Sequence, residues 1–345
     1  MLLRAAFIVL ACLMAATYAA RAADAPAECD VDRPIIFGGL DWESNRIHTA
    51  IARYILEHGL GCETDAIPGS TLPLLAGMAR GDVDITMEIW KDNVTEAWNR
   101  ALRRKQVVEV GVNFPDAVQG WYVPAYVIEG DPTRGIAPMA PELSSVYDLP
   151  RYVDLFEDPE VPGKGRFHNC ILGWSCEVVN SKKLVGYGLD KSYTNFRAGA
   201  AAALAAAIAS AFQRGEPILA YYWGPTWVLG RFDLVKLEEP AYDAAQWDAF
   251  NEDPEDHEPT AYPLVKVVIG ANADFADSAP AVIDVLKGYR TDAALISEIL
   301  DTMEEEDWTA EEAALDFLRT RPDIWQAWLA KPVAAKVSAA LEDGR

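Results

Sequence analysis

Basic side chains are scarce in this sequence. Its 345 residues include 30 Lys and Arg against 53 Asp and Glu, which gives a formal net charge of −23. An acidic surface repels nucleic acid and attracts cations. We therefore expect no nucleic-acid partner and an electrostatic field that steers small cations inward, although acidity by itself also keeps a protein soluble.

Histidine is rare, and a glycine-rich loop of the kind that cradles phosphate is missing. The four histidines show no HExxH or other metal-ligand spacing, and we expect surface positions for His48 and His58. The segment closest to a nucleophile elbow is Gly173-Trp174-Ser175-Cys176-Glu177, but a hydrolase elbow needs glycine in place of Glu177. The sequence therefore predicts no enzyme, no catalytic residue, no cofactor and no metal, with a hydrolase on a related fold as the enzymatic alternative.

A long apolar run lies at the amino terminus. Arg4 precedes the run from Ala5 to Ala20, and the small-residue pattern Ala20-Arg21-Ala22 follows it. This order is typical of a secretory signal, so we predict a signal peptide over residues 1–22 and a periplasmic mature protein. A membrane span needs about 20 apolar residues, and a lipoprotein site at Cys12 would fall inside the run. Both are weaker alternatives.

Cysteine is also rare, and four of the five cysteines lie beyond that signal. An even number in an oxidising compartment favours disulfides. Of the three connectivities, Cys29 with Cys62 and Cys170 with Cys176 is the simplest. A zinc site that includes His168 is the alternative, but it lacks a second ligand at suitable spacing.

Periodicity from residue 35 onward predicts alternating strands and helices. The first five elements are a strand at Ile35–Gly38, a helix from a Ser44 cap to Gly59, a strand at Glu63–Ile67, a helix at Thr71–Arg80 and a strand at Val83–Glu88. This βαβαβ order indicates a parallel sheet with right-handed crossovers. The mature length is enough for two lobes.

The second half of the chain carries clear signals at four places. They are an alanine-rich helix at Gly199–Arg214, a strand at Ile218–Tyr222, an acidic surface loop at Phe250–Pro263 and a strand at Leu264–Ile269 that returns to the first lobe. Thr309 and Glu312 form a predicted capping box.

Tryptophan is abundant, with 11 residues, and four of them follow predicted strands. They are Trp42, Trp90, Trp174 and Trp223. Ligands of open α/β sheets bind at the carboxyl ends of strands, and an indole face attracts a cation. The four rings therefore predict a cleft for a methylated ammonium ion, whereas burial in separate cores is the alternative for each ring.

Three segments resemble the glycine betaine/proline betaine binding proteins of ABC importers. They are Gly81-Asp82-Val83-Asp84-Ile85-Thr86-Met87-Glu88-Ile89-Trp90, Cys170-Ile171-Leu172-Gly173-Trp174-Ser175-Cys176 and Tyr221-Tyr222-Trp223-Gly224-Pro225-Thr226-Trp227. The resemblance extends over nearly the whole mature chain. It implies an α/β fold of type II periplasmic binding proteins, in which two lobes, each a mostly parallel sheet flanked by helices, close on the ligand. We expect lobe 1 over residues 31–121 and 261–345, and lobe 2 over residues 122–260.

The resemblance also implies a site and partners. Trp90, Trp174 and Trp223 would form the aromatic box, with Trp42 as an additional wall. Backbone N–H groups of Trp174, Ser175 and Cys176 would hold a ligand carboxylate. The expected partners are a quaternary-ammonium ligand such as glycine betaine, choline or proline betaine and the permease of an ABC importer, and we expect a monomer.

One position departs from the family pattern. Glycine betaine binders carry an anion-binding histidine four residues beyond the first cage tryptophan, where this chain has Val94. A ligand without a carboxylate, such as choline, or another betaine therefore stays open, with Asp41 or Glu43 near the cation. A sensor input to a membrane receptor, for this or another small cationic or zwitterionic solute, is the alternative to transport.

Overall fold

The computed structural model describes residues 28–344, so the predicted signal peptide lies outside the described residues. The strands in this range are β1 Ile35–Leu40, β2 Thr64–Gly69, β3 Ile85–Ile89, β4 Val107–Pro124, β5 Gly165–Asn169, β6 Tyr193–Arg197, β7 Leu219–Gly224, β8 Leu234–Lys236 and β9 Val265–Asn272.

Helices separate most of these strands. They are α1 Glu43–Ile55, α2 Thr71–Arg80, α3 Thr95–Arg103, α4 Ala125–Glu129, α5 Ser175–Gly186, α6 Ala201–Arg214, α7 Trp227–Arg231, α8 Ala244–Glu252, α9 Ala273–Ser278, α10 Pro280–Gly288, α11 Ala293–Glu305, α12 Ala310–Thr320, α13 Pro322–Trp325 and α14 Lys331–Glu342. Within residues 28–344 none of the helices combines the length and apolarity needed to cross a bilayer.

The sheet runs in the order β2-β1-β3-β9-β4-β7-β5-β6, with β8 paired to β4. β1 pairs in parallel with both β2 and β3, which confirms the predicted βαβαβ unit. β4 connects the two halves of the sheet. Its residues 107–117 pair antiparallel with β9, and its residues 118–124 pair with β7 and β8.

The first helix differs from its prediction at both ends. It begins at Glu43 after Trp42, and Ser44 lies buried inside it instead of capping it. It ends at Ile55 in a π-helical turn over Leu56–Leu60, and Gly61 then adopts φ = 79°, a conformation that glycine accepts without strain. The apolar spacing predicted the helix correctly but did not distinguish its last turn from a π turn.

His48 is a second correction, because its side chain is fully buried and not on the surface. It lies on the inner face of α1 and stacks against Phe114 of β4, with ring centroids 5.6 Å apart. Its Nδ1 atom is 2.8 Å from the hydroxyl of Tyr289. Helical spacing from Ser44 and Ile51 places residue 48 on the core face of α1. The prediction of a surface position for His48 was wrong because it relied on the polarity of the side chain alone.

The alanine-rich helix packs as predicted. Leu204 and Ile208 of α6 are buried along one face, and each such side chain stabilises the fold by about 1.5–3 kcal/mol relative to exposure. The capping box between Thr309 and Glu312 is present at the start of α12. Both predicted disulfides are present, joining Cys29 to Cys62 and Cys170 to Cys176.

Candidate ligand-binding site

The four tryptophans singled out in the sequence meet around one cavity. It has about 280 Å³ of empty space, including the part open to solvent. Its lining residues are Trp42, Thr71, Trp90, Asn93, Gln119, Trp174, Ser175, Cys176, Tyr221 and Trp223. None of them is basic or acidic, so aromatic faces and neutral polar groups form the walls.

Three of the indole rings form near-perpendicular walls. The ring centroids of Trp42 and Trp174 are 5.2 Å apart at an interplanar angle of 77°. Those of Trp174 and Trp223 are 5.0 Å apart at 85°. Rings that meet edge to face present their π surfaces in different directions, as a cage around a compact group requires.

The four rings come from distant parts of the chain. Trp42 precedes α1, Trp90 follows β3 and Trp174 precedes α5, as expected for residues beyond strand ends. Trp223 lies inside β7, which runs two residues further than predicted. Each ring is only 3–6% exposed, so the polar neighbours of Trp42 and Trp90 in the sequence did not indicate open exposure.

A buried carboxylate connects two of the rings. The indole N–H groups of Trp42 and Trp90 both donate to Oε2 of Glu88, at 2.8 and 3.0 Å. Burial raises the pKa of Glu88 to about 7, against the lowering effect of these two hydrogen bonds and of a third from the Ser44 hydroxyl. Sequence reasoning missed Glu88, although an acid inside an apolar strand next to a cage tryptophan was a usable signal.

The two acids expected near the cation have different roles. Asp41 accepts a hydrogen bond of 2.6 Å from the indole N–H of Trp174, 133 residues away. Glu43 lines a neighbouring cavity between Trp42 and Trp223 instead of the one enclosed by the four rings. Burial raises the pKa of Glu43, and the charge of Glu304 adds to this effect.

Neutral polar groups form another part of the wall. Asn93 and Gln119 exchange side-chain hydrogen bonds of 2.7 and 3.2 Å, and the hydroxyl of Tyr221 donates to Gln119 at 2.7 Å. Burial raises the pKa of Tyr221 well above 10, which keeps this hydroxyl protonated. Asn93 and Gln119 were missed because the turn before α3 and β4 carry no periodic signal, whereas Tyr221 lies in a predicted strand but was not assigned to the site.

The disulfide loop brings the start of α5 to the cavity. No side chain caps α5, which begins at Ser175, so the first N–H groups of this helix lack the usual capping partner. The N–H of Trp174 donates to the carbonyl of Ile171 at 3.3 Å, within the loop. Trp174 thus uses its N–H within the loop, whereas Ser175 and Cys176 line the cavity at the start of α5.

Val94 does not line this cavity, whereas the preceding Asn93 does. Val94 faces an adjacent groove between α3 and α5. Over the part of the chain that the structure describes, no three His, Cys, Asp or Glu residues are grouped so as to hold a metal ion.

Solved structures with this fold are two-lobed type II periplasmic binding proteins, which confirms the predicted fold class. A choline-binding protein of an ABC transporter, in complex with choline, superposes with a TM-score of 0.71 at 19% identity, covering 89% of this chain and 98% of that one. A glycine betaine/L-proline-binding protein from Borrelia burgdorferi superposes with a TM-score of 0.70 at 18% identity, covering 88% and 100%.

Two characterised relatives are similar in sequence. The trimethylamine N-oxide-binding protein of Pelagibacter ubique is 23% identical over 296 residues, which are 86% of this chain and 90% of that protein. The glycine betaine/proline betaine-binding periplasmic protein of Salmonella typhimurium is 26% identical over 168 residues, 47% of each chain.

Residues 33–320 match the family described as the substrate-binding domain of the ABC-type glycine betaine transport system. Its members are solute-binding proteins and not enzymes, in agreement with the sequence prediction. This chain belongs to that family.

Proposed function

We propose that this protein binds a small quaternary-ammonium compound in the cage of Trp42, Trp90, Trp174 and Trp223 and delivers it to the permease of an ABC importer. The observation that carries the proposal is the convergence of four indole rings on a cavity without a basic lining residue. A basic side chain would repel a cation, and indole faces attract one.

Cation–π attraction contributes roughly 0.5–2 kcal/mol per ring, depending on how far the pair is desolvated. Micromolar affinity requires about 8.2 kcal/mol after the entropic penalty of association is met. Four rings therefore supply a large part of the required free energy, and burial of the methyl groups supplies more. This balance favours a trimethylated head group over a primary amine, which is more strongly hydrated.

The polar wall supports a small ligand with an uncharged or partly charged oxygen. Asn93, Gln119 and Tyr221 provide neutral hydrogen-bonding groups, as do Ser175 and the first backbone N–H groups of α5. An arginine or histidine for a carboxylate is missing from the lining. We therefore place choline and trimethylamine N-oxide, the ligand named for one relative, before glycine betaine and proline betaine.

We also propose that the cage lies between two lobes, residues 31–121 with 261–345 and residues 122–260. The division is supported by β4, which leaves β9 and joins β7 and β8 at residue 118. Trp42 and Trp90 belong to the first lobe, and Trp174 and Trp223 to the second. Export to the periplasm fits two relatives that are named as periplasmic proteins.

Ligand titration of the mature protein tests this function. Intrinsic tryptophan fluorescence and calorimetry should detect saturable binding of choline, trimethylamine N-oxide, glycine betaine or proline betaine, with dissociation constants in the micromolar range (about 8 kcal/mol). Lysine or arginine should not compete. The proposal is wrong if none of the four compounds binds at millimolar concentration, or if a primary amine binds as tightly.

A further inference from the structure

Glu88 is a buried carboxylate shared by two walls of the cavity. Its Oε2 atom accepts the indole N–H of both Trp42 and Trp90. Its side chain is fully excluded from solvent. One oxygen atom therefore holds the indole N–H groups of two rings in place. The two rings come from different segments, since Trp42 precedes α1 and Trp90 follows β3.

The groups that face this carboxylate are neutral. From α1, Nε2 of His48 lies 3.8 Å from Oε1, and burial lowers the pKa of this histidine to about 3. Behind His48, burial raises the pKa of Tyr289 well above 10. Of the flanking strands, β1 has no titratable side chain and β9 has one, Lys266, which is exposed.

The charge on Glu88 is thus not balanced by a protein cation. Among the described residues no lysine or arginine forms an ion pair with it, and its further polar neighbours, the hydroxyl of Ser44 and the imidazole of His48, are neutral. A buried charge without a partner is unfavourable. A cation enclosed by the adjacent rings would supply the missing positive charge.

The hydrogen bonds themselves add to the attraction. An N–H group that donates to an anion becomes more polarised, which shifts electron density toward the rest of the indole ring. The faces of Trp42 and Trp90 then attract a cation more strongly. A neutral molecule of the same shape gains nothing from either effect.

We propose that Glu88 is the positioning residue and buried counter-charge of the cage, which holds Trp42 and Trp90 in place and selects a cation over a neutral molecule of equal shape. This inference rests on the proposed function and deepens it. Glu88, which does not itself line the cavity, would then discriminate between charged and uncharged ligands.

A pH dependence of binding follows. A cation favours the ionised form of Glu88, so ligand binding to protein with a protonated Glu88 releases a proton. Because the pKa of Glu88 is about 7, affinity should be highest above that pH and should fall as pH is lowered toward 5. His48 and Tyr289 stay neutral over this window and do not contribute.

The test compares the wild type with Glu88→Gln, which keeps an oxygen acceptor for the indoles but removes the charge. The ligands are choline and 3,3-dimethylbutan-1-ol, its neutral isostere, and Glu109→Gln, at an exposed acid of β4, is the control. Above pH 7 we expect Glu88→Gln to weaken choline binding roughly tenfold, about 1.4 kcal/mol. The neutral alcohol should bind unchanged, and the pH dependence should disappear.

Equal weakening of both ligands would reduce Glu88 to a steric support and overturn the counter-charge role. Unchanged binding of both would overturn the proposal entirely. In either case a wild type that binds choline leaves the proposed function intact.

A ligand-free measurement keeps the inference testable if no cation binds. In protein labelled with ¹⁵N-tryptophan, the indole N–H resonances of Trp42 and Trp90 should shift together with a midpoint near pH 7. In Glu88→Gln they should not shift. Resonances that are insensitive to pH in the wild type would contradict the inference on their own.

Discussion

At the scale of single residues, carboxylates bond the indole N–H groups of three of the four rings. Glu88 binds Trp42 and Trp90, and Asp41 binds Trp174. An unpaired buried N–H is unfavourable by about 1–3 kcal/mol, so these acceptors leave the ring faces free to meet a ligand. The carboxylates that orient the cage are thus as much part of the site as the rings.

Trp174 stands between Trp42 and Trp223 and contacts both. We predict that Trp174→Ala weakens binding by about 2 kcal/mol, roughly 30-fold, because it removes one face and opens the cage. Calorimetry measures the loss. Trp308→Ala, a half-buried tryptophan between α11 and α12, is the matched control. Equal affinities of the two variants would remove Trp174 from the cage.

A second buried charge supports stability instead of binding. Lys183 forms a fully buried ion pair with Glu239, and its Nζ lies 4.0 Å from the ring centroid of Tyr262. We predict that Lys183→Met lowers the free energy of unfolding by about 3–5 kcal/mol, because the carboxylate of Glu239 loses its cation. Urea denaturation measures this change.

The double variant Lys183→Met/Glu239→Gln should recover part of the lost stability, since no uncompensated charge is left in the core. If the double variant is less stable than Lys183→Met, the prediction is wrong. The carboxylate of Glu239 would then stabilise the fold through its other neighbours and not through the ion pair.

At the scale of elements, the two disulfides constrain different structures. Cys29–Cys62 joins the start of the described chain to the segment before β2, with 33 residues between the cysteines in sequence. Cys170 and Cys176 are 6 residues apart in sequence, and their disulfide closes a short loop around Trp174 and the start of α5. One disulfide therefore closes a long loop, and the other shapes the site.

We predict that replacing each disulfide pair by two serines has a different main effect, on stability for Cys29–Cys62 and on binding for Cys170–Cys176. Removal of Cys29–Cys62 should lower the free energy of unfolding by about 3–4 kcal/mol, and removal of Cys170–Cys176 by about 2 kcal/mol, because the stabilisation grows with loop length. Binding should weaken mainly in the second variant, which loosens Trp174. Denaturation and calorimetry on both variants check this, and stronger loss of binding in the first would contradict it.

At the scale of the whole molecule, several polar contacts join the proposed lobes, and they include the hydrogen bond from Tyr221 to Gln119 in the cavity wall. Asp41 bonds Trp174, and the indole N–H of Trp247 donates to the carbonyl of Asp92 at 2.9 Å. Arg231 pairs with Asp301 at the surface, where an exposed ion pair stabilises by only about 0–1 kcal/mol. Because Asp41 bonds one of the four indole rings directly, we expect this contact to couple ligand binding to closure of the proposed lobes.

We predict that Asp41→Ala favours an open form. Loss of a charge-assisted hydrogen bond should weaken ligand binding by about 1.5–3 kcal/mol. Small-angle scattering should show a larger radius of gyration without ligand and a smaller decrease on ligand addition. Asp301→Ala, which breaks the exposed ion pair, is the control. If the control opens the protein as much as Asp41→Ala does, the coupling does not run through Trp174.

The sequence by itself determined the βαβαβ unit, the alanine-rich helix and the four tryptophans, because apolar period, capping residues and residue type are local properties of the chain. It favoured the disulfide pairs only as the simplest of three connectivities. It did not reveal β4, whose 18 residues exchange partners midway and so lack a single alternation. Nor did it reveal that His48 and Glu88 are buried or that Asn93, Gln119 and Tyr221 form a wall. Those features arise from packing between segments more than 20 residues apart, and only the tertiary structure brings them together.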